Sequence, residues 1–202
     1  MTILNLPDGY HDLPKGKLAN MVTYLEMLAP PSAPLQSQIE PPLRLVPLGR
    51  GDLEGYRMLH REVGDEWLWF SRTVMPDEEL RTILDHPDVE PFVLCEAEER
   101  LGLLELNFRE RGQCELAYLG LKASAIGRGL GRALMEEGTR RAWARPIRRF
   151  WVHTCTFDSP AALPFYIRSG FTPYARGLEI HDDFRLTGKL PRTAAPHIPI
   201  IE

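Results

Sequence analysis

One segment limits the architecture of this 202-residue chain more than any other: Glu115–Gly131, ELAYLGLKASAIGRGLG. A strand-like run enters a turn holding Gly127, Gly129 and Gly131, and a helical pattern follows at once. Glycines there let the backbone come close to a ligand and aim several N–H groups at it. The N-terminus of the following helix adds partial positive charge, so the turn can cradle a phosphate or pyrophosphate. Two familiar phosphate motifs do not fit. A P-loop needs Lys-Ser/Thr after its last glycine, and Gly131 is followed by Arg132-Ala133. A dinucleotide fingerprint needs an acid at the end of the next strand, which here reads Arg149-Phe150-Trp151-Val152.

The surrounding pattern alternates between strand and helix. Leu43–Leu48 reads as a first strand, and Asp52 caps a helix running to about Val63. A second helix spans Asp77–Leu84. Phe92–Glu96, Leu101–Phe108 and Glu115–Leu121 follow with short connections, predicting an antiparallel meander. Gly129 to about Arg145 is a helix, Phe150–Thr156 a strand, and Pro160–Ser169 a short helix that Gly170 ends in the left-handed position. Ile180–Leu186 is the closing strand. Ahead of all this, Leu18, Met21, Val22, Leu25 and Leu28 recur at spacings of three and four, which predicts an amphipathic helix. The proline-rich stretch 29–42 reads as a linker or surface strap. The expected organisation is an N-terminal helical, proline-rich extension over 1–42, a main domain over 43–190 and a tail over 191–202. The helix would dock on the main domain or on a second subunit, as in a homodimer.

With these elements in order, the chain resembles the GCN5-related N-acetyltransferase superfamily. That family's strand-to-helix signature is Gln/Arg-x-x-Gly-x-Gly/Ala, and here it reads Ile126-Gly127-Arg128-Gly129-Leu130-Gly131. Ile126 stands where Gln or Arg is usual, which removes a side-chain contact and leaves the backbone amides. Downstream, Asp158 through Phe171 is similar to the family's Asn-x-x-Ala-x-x-Phe-Tyr-x-x-x-Gly-Phe segment, with Asp158 for the usual Asn and Pro164 inside the helix. The resemblance covers roughly residues 43–188. It implies an α/β fold with a central mixed, largely antiparallel sheet flanked by helices. It also implies acetyl-CoA as co-substrate, held by Ile126, Gly127, Arg128, Gly129, Leu130, Gly131, Arg132 and Asp158. The backbone of Leu119–Leu121 would pair with the pantetheine arm and supply oxyanion donors.

Acyl transfer to an amine needs a base for the amine, donors for the oxyanion and an acid for the leaving thiolate. The resemblance places Tyr166 as that acid; packing beside Phe165 and Phe171 is the alternative. Counting back from Gly129 puts Glu115 where some family members carry a catalytic glutamate, with Glu105, His153 or water as competitors. Trp67, Trp69 and Phe70 would wall the acceptor pocket, and Asp65 or Glu66 would attract a cationic amine. The expected activity is acetyl transfer to a primary amine, small or on a protein, by direct attack in a ternary complex. The competing reading is a non-catalytic acyl-CoA sensor or interaction module.

Composition narrows the field. Net charge is −4, and the arginines between Arg128 and Arg149 form the one basic cluster, without aromatic interleaving, so no nucleic-acid partner is expected. No apolar run reaches the roughly 18–20 residues of a membrane span. The three cysteines are widely spaced, which predicts neither a metal site nor a disulfide framework. A cytoplasmic location is the expectation.

Overall fold

The structure is a computed structural model and describes Asn5 and residues 7–32, 39–48 and 51–202. Residues 33–38 of the expected linker lie outside the described residues. The first regular element is a strand, β1 (Lys17–Met27), where the apolar spacing predicts a helix. Asn20 and Val22 are buried on one face of β1, Leu25 and Met27 on the other. Side chains alternate along a strand, so a buried face that changes midway places apolar residues three apart, as a helix would.

The remaining elements are β2 (Leu43–Pro47), α1 (Leu53–Gly64), α2 (Ser71–Val74), α3 (Asp77–Leu84), β3 (Val89–Glu96), β4 (Glu99–Asn107), β5 (Gln113–Leu121), α4 (Leu130–Ala144), β6 (Arg149–Cys155), α5 (Ala162–Arg168) and β7 (Thr172–Asp182). One seven-stranded sheet has the order β2-β3-β4-β5-β6-β1-β7. All neighbours are antiparallel except β5 and β6. The meander is β3–β5, as expected. β1 pairs with β6 on one side and β7 on the other, so the sheet crosses the boundary expected at residue 42. The closing strand begins at Thr172, eight residues before its expected start.

Two layers of apolar side chains sandwich the sheet. Leu94, Leu104, Leu116, Phe150 and Val152 meet α4 and α5 through Leu134 and Tyr166. On the opposite face, Val93 and Leu103 meet Tyr56, Leu59 and Val63 of α1 and Leu80 of α3. Asp52 caps α1 by accepting from the Gly55 N–H at 3.0 Å, and Arg100 secures the same carboxylate at 2.7 Å. At the end of α5, Gly170 has φ +101°, and the N–H groups of Gly170 and Phe171 return to the carbonyls of Ile167 and Tyr166. These two bonds satisfy carbonyls that the helix end would leave orphaned.

The tail after β7 is a third packing layer. Leu190, Ala194 and Ala195 bury against Leu68, with Leu18 of β1 alongside. Buried Arg185 ties the tail down by donating to the carbonyls of Ala194 and Ile198 and to both oxygens of Asp183. Those bonds hold the Asp183 carboxyl below the usual range.

Candidate active site

The site begins where two strands part. β5 and β6 pair in parallel only at Gln113–Arg149, Cys114–Phe150 and Glu115–Trp151. Beyond Glu115, β5 stays with β4 while β6 continues along β1, so the β5 edge from Leu116 onward is left open toward β6. A register shift in the β4–β5 ladder leaves Ala117 as an extra residue, and a bulge there sharpens the local twist. A cavity of about 650 Å³ fills the opening. It runs from the glycine turn, past Leu116–Leu121 and Tyr166, to Trp67–Ser71, Asn20 and Glu179.

The glycine turn stands at one end. Gly127 and Gly129 have φ +82° and +79°, and a Cβ on either would meet nothing within 4 Å. The left-handed backbone, not lack of room, is what calls for glycine at these positions. α4 starts at this turn with no capping side chain and no acid in its first turn. Its first N–H groups are therefore free to bind an anion. Ile126, Gly127, Gly129, Leu130, Gly131 and Arg132 all line the cavity. Arg128 does not: it turns to Glu96 at 2.6 Å.

Tyr166 is the buried residue of α5, with its ring against Phe165 and Phe171 and its side chain on the cavity wall. Its hydroxyl has no protein hydrogen bond among the described residues. Burial, followed by the Asp158 charge, pushes its pKa well above the ordinary phenol value, so the proton stays on.

Asp158 lines the cavity, but its oxygens are occupied. Oδ2 accepts from the Thr154 hydroxyl at 2.7 Å and the Cys155 N–H at 2.9 Å, and Oδ1 from Trp69 Nε1 at 3.1 Å. It thereby ties Trp69 to the β6–α5 loop. Trp69 itself lies against two glycines. A Cβ on Gly64 would sit 2.4 Å from the Trp69 Cβ, and one on Gly120 would sit 2.3 Å from Val63 Cγ1 and 2.9 Å from the Trp69 ring. These two glycines admit the indole that closes this wall.

The base candidates separate clearly. Glu115 lies outside the lining, and its carboxylate accepts from Asn107 Nδ2 at 3.0 Å. Glu105 is fully buried, bound by Arg72 at 2.6 Å and by the Tyr56 hydroxyl. His153 is exposed and lines the cavity. Cys155 also lines it, its thiol pushed up to about 12 by burial and then by Asp158, which leaves it unreactive.

The end of the cavity away from the glycine turn is lined by Trp67, Trp69 and Phe70, and by neither Asp65 nor Glu66. The acid at this end is Glu179 of β7, beside Asn20 of β1. Sequence reasoning misses both, because their strand pairing joins residues 159 apart. A polar cluster with no local sequence signal adjoins this end, Ser71 and Tyr118 on the cavity lining and Arg72 and His60 behind it. Ser71 and Tyr118 share a hydrogen bond, Arg72 sits over the Tyr118 ring, and His60 is enclosed by Tyr56, Trp69 and Tyr118.

The strand, glycine turn and helix follow one another in the order on which the resemblance rests. The model of the acetyltransferase (GNAT) family matches residues 56–171, more than half of the chain. The chain belongs to this family, whose members transfer acetyl groups using acetyl-CoA as co-substrate. Solved structures agree at the level of fold. A GCN5-related N-acetyltransferase from Sphaerobacter thermophilus aligns with TM-score 0.56 and 16% identity, over 81% of this chain and 52% of its own. The chain therefore spans only about half the length of that protein. An acetyltransferase from Thermus thermophilus gives TM-score 0.52 and 21% identity, over 69% and 96% of the two chains. An aminoglycoside acetyltransferase from an uncultured soil metagenomic sample, in complex with sisomicin, gives 0.52 and 19%, over 63% and 87%. No curated protein is a significant match to the sequence. Among the described residues no helix is long and apolar enough to cross a membrane, and no cluster of His, Cys, Asp or Glu could hold a metal ion.

Proposed function

We propose that this chain transfers an acetyl group from acetyl-CoA to a primary amine, the amine attacking the thioester directly while both substrates occupy one cavity. The observation that carries this reading is the continuity of the 650 Å³ cavity from the glycine turn to the acceptor wall. Acetyl-CoA supplies an activated acyl group; the chain supplies the surfaces that hold and orient it. The N–H groups at Gly129–Gly131 receive the pyrophosphate, with Arg132 beside them to pair with a phosphate. The open β5 edge at Leu119–Leu121 offers backbone groups to the pantetheine arm and to the oxyanion. Arg128 reaches a phosphate only by leaving Glu96, and Asp158 acts by holding Trp69 and the β6–α5 loop in place.

Proton movements fall to two side chains. The Tyr166 hydroxyl keeps its proton and has no protein partner, so it is free to donate to the departing sulfur. His153 is on the cavity wall with no hydrogen bond to protein among the described residues, so a ring nitrogen is free to meet an incoming amine. We assign it the proton of the amine. Glu115 and Glu105 have no part in this transfer, the first because it stands outside the lining and the second because Arg72 and Tyr56 occupy it.

Thiol release measured over an amine panel, with both substrates varied, tests the reading. Direct transfer gives intersecting lines in double-reciprocal plots; parallel lines would indicate a covalent acyl-enzyme and defeat it. Acetyl-CoA binding without amine-dependent release would identify a sensor instead. His153→Gln is expected to lower kcat/KM across all amines, by roughly 10²-fold for a positioned base.

A further inference from the structure

The acceptor end of the cavity contains a pair of side chains that the transfer reaction does not use. Asn20 and Glu179 are direct partners in the β1–β7 ladder, so their side chains leave the sheet on the same face. Asn20 is 2% exposed and lines the cavity, and its Nδ2 donates to Glu179 Oε2 at 2.8 Å. That bond leaves the Asn20 Oδ1 buried with no partner. Glu179 forms no ion pair among the described residues, although it too lines the cavity. The site thus offers a buried carbonyl oxygen with no donor, and a carboxylate that accepts from the Asn20 amide but has no ion-pair partner among the described residues. Trp67, Phe70 and Phe157 line the same cavity, and Phe70 and Phe157 pack on His181, two residues along β7 from Glu179.

Buried acceptors with no donor are costly, and an incoming donor relieves that cost. A cation with several N–H groups satisfies both oxygens at once, and aromatic walls favour cations further. We infer that Asn20 and Glu179 form a recognition site for an ammonium group of the acceptor other than the amine that is acetylated. The distinction follows from the chemistry. The attacking amine must be neutral, and a carboxylate beside it would hold its proton in place. A carboxylate dedicated to a second ammonium carries no such cost. The inference rests on the acetyl-transfer reading and narrows the substrate class to acceptors with at least two amines.

The test compares putrescine with butylamine, which has the same chain length and a single amine, and with γ-aminobutyrate, where a carboxylate replaces the second ammonium. Wild-type protein, Glu179→Gln and Glu179→Lys are assayed for kcat/KM on each, and putrescine binding is measured by calorimetry. Glu179 is exposed, so both variants should fold. The wild type is expected to prefer putrescine to butylamine, and Glu179→Gln to shrink that ratio roughly tenfold, the low end for a lost charge-assisted hydrogen bond. Glu179→Lys should erase the ratio and move preference toward γ-aminobutyrate. A structural role would lower all three acceptors together and leave the ratios fixed, which would overturn the inference. So would a wild type without preference for putrescine, or a general loss of kcat showing that Glu179 is the base. If no acceptor releases thiol while putrescine binding still depends on Glu179, the acetyl-transfer reading fails and the cation site stands.

Discussion

The two ends of the cavity are built by different means. At the end proposed for acetyl-CoA, a single stretch, Leu116–Arg132, provides most of the lining, with backbone exposed at its glycines. At the end proposed for the acceptor, the lining is side chains drawn from β1, the α1–α2 connection, the β6–α5 loop and β7. A surface of amides depends on local turn geometry, which a few glycines specify. A surface of side chains depends on long-range strand pairing, so it changes whenever that pairing changes. The first can stay constant while the second is rebuilt for another acceptor.

The strongest way to break this contrast is to remove β1. Without residues 1–42, β6 and β7 lose the strand between them and Asn20 leaves the cavity. The truncated chain is expected to show no cooperative thermal transition, because two exposed edges and uncovered apolar surface favour aggregation. A cooperative melt within a few degrees of the full chain would show that the acceptor half is dispensable to the fold. Next comes Gly129→Glu at the cofactor end. It imposes ~1–2 kcal/mol of left-handed strain on a turn that must keep its shape, and it puts a carboxylate where a phosphate belongs. Calorimetry should show acetyl-CoA affinity reduced by more than tenfold; unchanged affinity in a folded variant would remove the turn from the site.

Tyr166→Phe sits between the two ends. It is expected to lower kcat roughly tenfold to a hundredfold, with a smaller effect on acetyl-CoA affinity. An unaltered kcat in a chemistry-limited assay would leave Tyr166 as packing alone.

His60, behind the acceptor wall, sharpens the comparison through pH. Burial, then the Arg72 charge, lowers its pKa from 6.5 to about 3. The unfolded chain takes up a proton as pH falls through 6.5, and the folded chain does not until about 3. The stability from a neutral His60 is thus complete above 6.5 and is lost progressively on acidification toward 3. Denaturant melts across that range should reveal the slope, and His60→Phe should flatten it; an identical slope would assign the effect elsewhere. The smallest effect is expected for Glu115→Gln. It disturbs one hydrogen bond to Asn107 worth ~0.5 kcal/mol and should change kcat/KM less than about twofold. A hundredfold loss would restore Glu115 as the base.

The sequence was most legible where cause and effect are close together. Asp77–Leu84 is the helix its pattern predicts, Asp52 caps α1, and Gly170 ends α5, each by a bond within a few residues. β1 was illegible for a definite reason. Its buried side changes between Val22 and Leu25 because α4 and α5 cover one face at one end, through Trp143 and Tyr166, and the C-terminal layer covers the other face at the other end. No periodicity read along one strand reports which layer will lie on each face. The same limit hides Glu179: Asp65 and Glu66 are near the tryptophans in sequence but off the cavity lining, while Glu179 joins the lining through the sheet. Buried Arg72, Glu105 and Arg185 carry no local signal, since charged residues ordinarily read as surface.

The position of β1 also shapes how the molecule must be made. Its contacts reach across almost the whole chain: Glu26 meets Arg149 at a separation of 123 residues, and Lys17 meets Asp182 at 165. On a ribosome adding roughly 5–20 residues per second, this strand emerges well before β6 and β7 and waits many seconds for both of them. During that interval the meander and its helices can assemble from contacts close in sequence, while β1 stays unpaired. Closing the sheet is then a late step with a large loop-closure cost, and folding should be slow for a domain of this size. Until that step, nascent chains hold a finished glycine turn beside a cavity whose far wall does not yet exist.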